Sequence, residues 1–323
     1  MNFLLFKLQF TTAVHFGLSD SALSLYSSGE TFCADTLFSA LCHTALSHYG
    51  PDGVVTLCNW VKDDMLRLSD AMPWQGDTLY LPKPLLQADH SRELPAVERK
   101  AMKKLQWIPA EAFRELICSL TGDPIFNPRC YVTHFGQMAE VTRARIFDSK
   151  NAIPYAIGTF VFNPDCGLYF LVQYKDEQQA EMLRRLLESL GYSGIGGKIS
   201  SGYGRFFIED EIYLNEPFDT QTDWFSHALQ VDCGNYMLIS TSLPRDAELN
   251  DTLAGASFAL VRRAGFVQSN TYADSARKKR TQFFLASGSV LSCRFNGDLY
   301  DVGGNGRHPV YRYGRPIFLG VAL

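Results

Sequence analysis

The densest concentration of usable chemistry in the chain is Gly194-Ile195-Gly196-Gly197-Lys198-Ile199-Ser200-Ser201-Gly202-Tyr203-Gly204-Arg205. Five of the eleven residues from 194 to 204 are glycine. Glycine reaches positive φ at little cost and lets a ligand approach the main chain closely. Open N–H groups, with Lys198 and Arg205 beside them, would suit phosphate oxygens. The stretch is not a Walker loop, because Ile199 follows the lysine where Ser or Thr belongs. It also leads from a helical pattern into a strand pattern, the reverse of a phosphate-binding loop. The G-x-G-x-x-G fingerprint is absent as well. The plain alternative is a flexible connector. The candidate binding residues here are Gly196, Gly197, Lys198, Ser200, Ser201, Gly202, Tyr203, Gly204 and Arg205.

Three further groups carry charge beside aromatics or glycines. Arg143 and Arg145 alternate, which on a strand places both on one side. Arg262-Arg263 and Arg277-Lys278-Lys279-Arg280 flank Tyr272. Cations interleaved with an aromatic suit a single-stranded backbone and a stacked base, although four consecutive cations also describe a solvated loop. Gly303-Gly304-Asn305-Gly306-Arg307-His308-Pro309-Val310-Tyr311-Arg312-Tyr313-Gly314 repeats the theme, with His308 and Arg312 as its candidates. His15, at the end of the first apolar run, can be read as a general base near a scissile phosphate or as a hydrogen-bonded structural residue. No G-x-S-x-G elbow and no H-E-x-x-H is present. The acids Asp63-Asp64 lack a neighbouring glycine turn, so no metal site and no cofactor is expected.

Composition narrows the classes. The chain has 323 residues, enough for about two domains. Hydrophobic residues make up 46% and charged residues 20%, which excludes wholesale disorder. Thirty basic against 34 acidic residues give a net charge of −4. That argues against a non-specific nucleic-acid sponge but leaves room for a local basic groove. No stretch approaches the length of a membrane span. The segment from Met1 to Gly17 reads as a strand rather than a signal peptide. Eight scattered cysteines without a Cys-x-x-Cys pair suit buried thiols in a reducing cytoplasm.

The elements that must position these groups follow from periodicity. Phe3 to Phe10 is an opening strand, alternating from Phe6. Asp35 is placed as an N-cap for a helix whose apolar positions are 37, 38, 41 and 45. Residues 50 to 150, with recurrent proline and the mixed-charge run 98–104, read as an insertion of loops and short helices. Ala156–Phe162 and Leu168–Tyr174, joined by Asn163-Pro164-Asp165-Cys166-Gly167, read as a hairpin. A helix through Ala180, Leu183, Leu187 and Leu190 stops at Gly191, and a strand resumes from Arg205 to Leu214. The order is β-α-insert-β-β-α-β, a ferredoxin-like or RRM-like topology. The polar residues 215–234 mark a boundary, and the strands beyond them make a degenerate second domain. The expectation is an α+β protein of two ferredoxin-like (RRM-like) domains: residues 1–214, with an insertion at about 50–150, and residues 215–323.

Taken together, His15-Phe16-Gly17, Ala34-Asp35-Thr36-Leu37-Phe38-Ser39-Ala40-Leu41, Leu81-Pro82-Lys83-Pro84-Leu85, Lys103-Lys104-Leu105-Gln106-Trp107-Ile108-Pro109, the glycine loop, Arg263-Ala264-Gly265-Phe266-Val267-Gln268-Ser269 and the 308–314 motif resemble the RAMP superfamily of CRISPR proteins. More narrowly, they resemble the fourth Csm subunit of type III-A effector complexes. The resemblance implies two facing RRM-like domains with the glycine loop lining the cleft. It implies a non-catalytic cytoplasmic subunit that holds the crRNA 5′ handle. Its partners would be the large polymerase-like signature subunit, the neighbouring backbone RAMP subunit and the target RNA near the guide 5′ end. The insert would supply a thumb-like projection that kinks the guide–target duplex, with Arg143 and Arg145 where it begins or ends. The Asp-Arg pair expected after Arg145 is only partly matched by Phe147-Asp148-Ser149-Lys150. Cleavage in such complexes belongs to an Asp of the backbone subunits, and Asp35 is assigned to capping instead. The competing reading is a RAMP-type crRNA-processing endoribonuclease, for which His15 would be the acid/base.

Overall fold

The structure is a computed structural model that describes residues 1–18, 22–86, 96–121, 126–148, 151–216 and 219–321. Ser149 and Lys150 of the partly matched stretch lie outside the described residues. In chain order the first part contains β1 (Asn2–Phe10), α1 (Ala34–Lys62), β2 (Leu66–Leu68), β3 (Met72–Gln75), β4 (Thr78–Pro82), α2 (Ala96–Lys104), β5 (Trp107–Pro109) and α3 (Ala110–Thr121). Then come β6 (Gly136–Asp148), β7 (Asn151–Phe162), β8 (Cys166–Tyr174), α4 (Glu177–Ser193) and β9 (Phe206–Tyr213). The remainder holds α5 (Thr220–Gln230), β10 (Tyr236–Leu238), α6 (Leu249–Leu253), β11 (Leu260–Arg263), β12 (Gln282–Leu285), β13 (Val290–Leu291), β14 (Leu299–Asp301), β15 (Tyr311–Tyr313) and β16 (Phe318–Gly320).

The protein is mixed α/β with antiparallel sheets. Its main sheet runs β5-β4-β3-β8-β1-β9, with β2 also on β8. Alternation in β1 explains how both faces of this sheet are covered. Leu4, Phe6, Leu8 and Phe10 enter one core with Leu37, Phe38 and Leu41 of α1 and Leu183, Leu187 and Leu190 of α4. Phe3 and Leu5 enter another, with Phe113 of α3, Phe225 and Leu229 of α5, Met237 of β10 and Leu319 of β16. That second core joins residues on both sides of position 215. Helix α1 is longer than its periodicity suggested. It bends at Gly50 (φ 66°, ψ −160°), before Pro51, and continues to Lys62.

Three sequence expectations need correction. The region 50–150 is not merely loops and short helices: β2 to β5 are strands of the main sheet. The expected hairpin between 156–162 and 168–174 does not form either. The turn exists, with Cys166 N donating to Asn163 O at 3.3 Å. However, β8 is flanked by β1 on one side and by β2 and β3 on the other. With both edges of β8 filled, β7 pairs with β6 in a separate two-stranded ribbon. Thirteen residues make that ribbon roughly 40 Å long. Residues 215–234, read as polar and turn-rich, contain α5, closed by a capping box between Asp219 and Thr222.

Candidate nucleic-acid interface

The glycine loop is clasped by the residues that follow β1. Gly197 N donates to His15 O at 2.8 Å, Gly204 N to Ala13 O at 2.9 Å, and Ile195 N to Gly204 O at 2.9 Å. Arg205 N reaches Thr12 Oγ1 at 3.0 Å. Gly194, Ser201 and Gly202 donate to the carbonyls of Leu190, Lys198 and Ile199. Left-handed φ values at Gly196 (102°), Gly202 (86°) and Gly204 (75°), and at Lys198 (61°), make this course possible. The open N–H groups read from the sequence are thus in large part engaged within the protein. What the loop offers a ligand is side chains: Lys198, Ser200, Ser201 and Arg205, with the last three exposed.

Lys198 and Tyr203 of this loop meet the β6–β7 ribbon. Arg143 of β6 lies opposite Tyr155 of β7, and Arg145 lies opposite Ile153. The two arginines therefore sit inside the ribbon and not at an end of it. Arg143 Nη2 donates to Tyr203 Oη at 3.3 Å, and its guanidinium stands 5.7 Å from the Tyr203 ring. Lys198 Nζ is 5.3 Å from the Tyr155 ring. A cation–aromatic cluster of Arg143, Tyr203, Lys198 and Tyr155 results; Arg143 is exposed, as is Arg145 two positions further along β6. His15 lies beneath it, only 6% exposed. Its Nδ1–H donates to Gly158 O at 2.7 Å, which fixes the ring against β7. A Cβ at Gly197 would come within 2.5 Å of that ring, which accounts for glycine there.

The second group of candidates is sorted by burial. Arg263 forms a two-pronged pair with Asp35, Nε to Oδ2 at 2.9 Å and Nη2 to Oδ1 at 2.5 Å. Burial works against its charge, but Asp35 more than offsets this and raises its pKa. Asp35 is therefore not the cap of α1. Cys33 occupies the N-cap position and makes no side-chain cap bond. Asp70, from the β2–β3 connection, accepts from Ala34 N at 2.8 Å instead. Arg312, 4% exposed, donates to the carbonyls of Arg263 (2.9 Å), Arg280 (3.0 Å) and Ala264 (3.3 Å). Lys279 turns inward, and burial followed by Arg312 holds its pKa below the usual lysine value. Arg280 reaches Asp301 O. Arg262, Arg277 and Lys278 are exposed.

Tyr272, expected to stack on a base, is 3% exposed. Its hydroxyl accepts from Gly304 N at 2.7 Å, and His308 packs edge-on to its ring at 5.3 Å. His308 also bonds Ser269 Oγ through Nε2 at 2.8 Å. A Cβ at Gly306 would lie 1.9 Å from the Tyr272 ring, so the glycines at 303–306 serve to wrap this tyrosine. The open aromatics on this side are Phe258, Phe266 and Phe283, none of which falls within a run of cations. Of these, Phe283 occupies a strand position in β12, and Phe258 and Phe266 lie outside the strands. Separately, a cleft of about 400 Å³ between the two parts of the chain is lined by Phe32, Asp70, Lys83, Lys103, Trp107 and Val261, among others. The glycine loop does not line this cleft. Among the described residues, no cluster of His, Cys, Asp or Glu could hold a metal, and no helix is long and apolar enough to cross a membrane.

Comparison with known proteins gives this arrangement a family. The profile of the CRISPR Csm4 C-terminal domain matches residues 232–321, which places that part among CRISPR proteins. The CRISPR system Cms protein Csm4 of Mycobacterium tuberculosis (strain CDC 1551 / Oshkosh) is 37% identical, covering 99% of this chain and 98% of the relative. That of Streptococcus thermophilus is 32% identical, covering 98% of each. The chain belongs to the Csm4 family. Similar folds occur in crystal structures of a Csm3-Csm4 subcomplex of the type III-A CRISPR-Cas interference complex (TM-score 0.61, 18% identity, 99% of both chains) and of a Csm1-Csm4 cassette with cA4 (TM-score 0.60, 19% identity, 99% and 98%).

Proposed function

We propose that this chain is the non-catalytic subunit of a type III-A effector that holds the crRNA 5′ handle and joins the large signature subunit to the backbone RAMP subunits. The observation that carries this is the cluster of Arg143, Lys198, Tyr155 and Tyr203. It sets the exposed Arg143 with the half-buried Lys198 and Tyr155 inside the length of the β6–β7 ribbon, an arrangement suited to a single-stranded backbone with splayed bases. The ribbon is the thumb in this reading, and target RNA near the guide 5′ end passes against it. The related solved assemblies, described as Csm3-Csm4 and Csm1-Csm4, support the two protein partners.

The order β1-α1-β3-β8-α4-β9 with strand order β9-β1-β8-β3 supports a ferredoxin-like first domain with its insertion, residues 1–214. Residues 215–323 are its degenerate counterpart. Burial of His15, with Nδ1 committed to Gly158, supports a structural role over the acid/base role that an endoribonuclease would need. The protein works in the cytoplasm in this reading. The test is co-expression with the other effector subunits and a CRISPR array, purification through this chain, and sequencing of bound RNA. Guides sharing a repeat-derived 5′ end are expected, with the large subunit present. Joint neutralisation of Arg143, Lys198 and Arg205 should weaken guide retention and lower the salt slope by about 0.7 for each phosphate no longer neutralised. Recovery of this chain without guide RNA would refute the proposal.

A further inference from the structure

The break in α1 brings two cysteines together. A straight helix would hold residues 42 and 58 about 24 Å apart, at 1.5 Å per residue. Instead the backbone leaves the helical range at Gly50, ahead of Pro51, and the two arms close on each other. A Cβ at Gly53 would stand 3.0 Å from the Ala45 carbonyl oxygen and 3.4 Å from the Ala45 Cβ, so glycine at 53 lets the arms touch. The bend is therefore a reversal. Cys42 and Cys58 lie roughly one turn further from it, one on each arm, and both pack in the core shared with α4. The Cys42 thiol donates to Cys58 Sγ, which puts the two sulfurs in contact. Both are free thiols.

The pair is asymmetric in a useful way. The bond from Cys42, opposed by burial and aided by Lys62 one turn along the helix, holds the Cys58 thiol below its usual pKa. The same bond, with burial, pushes Cys42 up. Cys33, at the N-cap, is by contrast pushed up to about 12 by burial and Asp70, which keeps it protonated and inert. We propose that Cys42 and Cys58 are a redox site, which a peroxide converts to a reversible intrachain disulfide that staples the reversal of α1. The Cys58 thiolate attacks one oxygen of hydrogen peroxide, the O–O bond breaks, and the departing hydroxide takes up the proton that Cys58 released. Cys58 is then a sulfenic acid. Cys42 Sγ attacks its sulfur, the S–O bond breaks, and the Cys42 proton leaves with the oxygen as water. Two thiols and one peroxide become one disulfide and two waters. Little movement is required, because the sulfurs already touch. The staple has a consequence for the C-terminal part. The first arm holds β15 through Phe38 against Tyr313, at 5.5 Å, and the second through Lys62 over Tyr311, at 4.8 Å. Joining the arms clamps that strand from both sides.

The experiment treats the reduced full chain with hydrogen peroxide, blocks remaining thiols with N-ethylmaleimide under denaturing conditions, and maps tryptic peptides by mass spectrometry. One peptide, from Leu8 to Lys62, carries Cys33, Cys42 and Cys58. After peroxide it should bear a single maleimide, on Cys33, and have lost two hydrogen atoms. A thiol reductant applied before blocking should restore three maleimides. The folded, oxidised chain should melt about 4 °C above the reduced one, because the bond closes a short loop of the unfolded chain. In Cys42→Ala and Cys58→Ala variants the melt should no longer respond to peroxide. Melts of the untreated variants check their fold, and the mapping of the wild-type chain stands without them. Three maleimides on this peptide, at a peroxide dose that oxidises the exposed Cys118 and Cys130, would overturn the inference. So would sulfinic acid at either position without a cross-link. A complete cross-link with an unchanged melt would overturn the staple. None of these outcomes bears on the handle reading, which the co-expression experiment tests by itself.

Discussion

Asp70 ties three parts of the chain together, and its removal should be felt in all of them. Oδ1 accepts from Ala34 N and from Thr241 N, both at 2.8 Å, and Oδ2 accepts from Thr241 Oγ1 at 2.6 Å. Its own N–H donates to Ile239 O. The carboxylate thereby caps α1 from a distance and holds the start of the C-terminal part. Asp70→Ala leaves two buried backbone N–H groups and a hydroxyl without their acceptor. At roughly 1–3 kcal/mol for each unsatisfied group, with the hydroxyl free to rotate, the cost should be about 4 kcal/mol. Asp70→Asn keeps Oδ1 for both N–H groups and can donate to Thr241 Oγ1, so it should stay within about 1 kcal/mol of wild type.

A pH arm separates charge from hydrogen bonding. Burial, opposed by the bonds from Thr241 and Ala34, moves the Asp70 pKa from 3.8 up to about 6. A folded-state pKa above the unfolded one means the native state binds the extra proton between these values. The stabilisation is complete below about pH 4 and is lost as pH rises through about 6. Full protonation is worth about 3 kcal/mol, of which about 2 kcal/mol appears between about pH 7.5 and about pH 4.5. Urea unfolding of wild type and of Asp70→Asn at both pH values reads this directly. Wild type should gain about 2 kcal/mol on the variant as pH falls. Parallel curves would refute the raised pKa, and an Ala variant as stable as the Asn variant would refute the capping role.

Removing one partner of the buried Asp35–Arg263 pair, by Asp35→Ala, should cost about 3 kcal/mol in urea unfolding, because Arg263 is left buried with its charge unmatched. Gly306→Ala drives a methyl into the Tyr272 ring and should cost about 2 kcal/mol. Combining it with Tyr272→Leu should cost less than the sum of the two, as a double-mutant cycle would reveal. His15→Ala should lower the melting temperature by removing a buried bond to Gly158, worth about 1 kcal/mol or more, without changing the length of guide RNA recovered from cells. A change in guide processing would restore the endoribonuclease reading.

Legibility differed by element for physical reasons. β1, the start of α1, α4 and β9 are readable because each has one strong period, although α4 runs through Gly191 to Ser193 and is capped at Gly194. The turn at 163–167 does not make a hairpin, because turn chemistry fixes a reversal and says nothing about whether a better partner occupies the next edge. Strands of three to five residues, such as β2 to β5, are too short for a period to register, so the strand-bearing insert looked like loop. The same limit applies to charge. Arg262 and Arg263 are neighbours in sequence, yet one is exposed and the other is bound to Asp35, because adjacent strand positions face opposite ways. Tyr272 lies among cations in the sequence, but the glycines at 303–306 that cover it lie some thirty residues away.

The two carboxylates at the start of α1 show how the site depends on the scaffold. A helix N-terminus carries partial positive charge and free N–H groups, so one acid there is ordinary. Here Asp70 takes the N–H group and Asp35, one residue into the helix, is free to bind elsewhere. It turns to Arg263, and Arg312 completes the arrangement by holding the carbonyls of Arg263, Ala264 and Arg280. These contacts fix the inward face of the β11–β12 ribbon to the helix that covers the main sheet. Since Arg262 and Arg263 alternate, fixing one direction fixes the other. The inward arginine is what turns Arg262 and Phe283 to the opposite face of the ribbon.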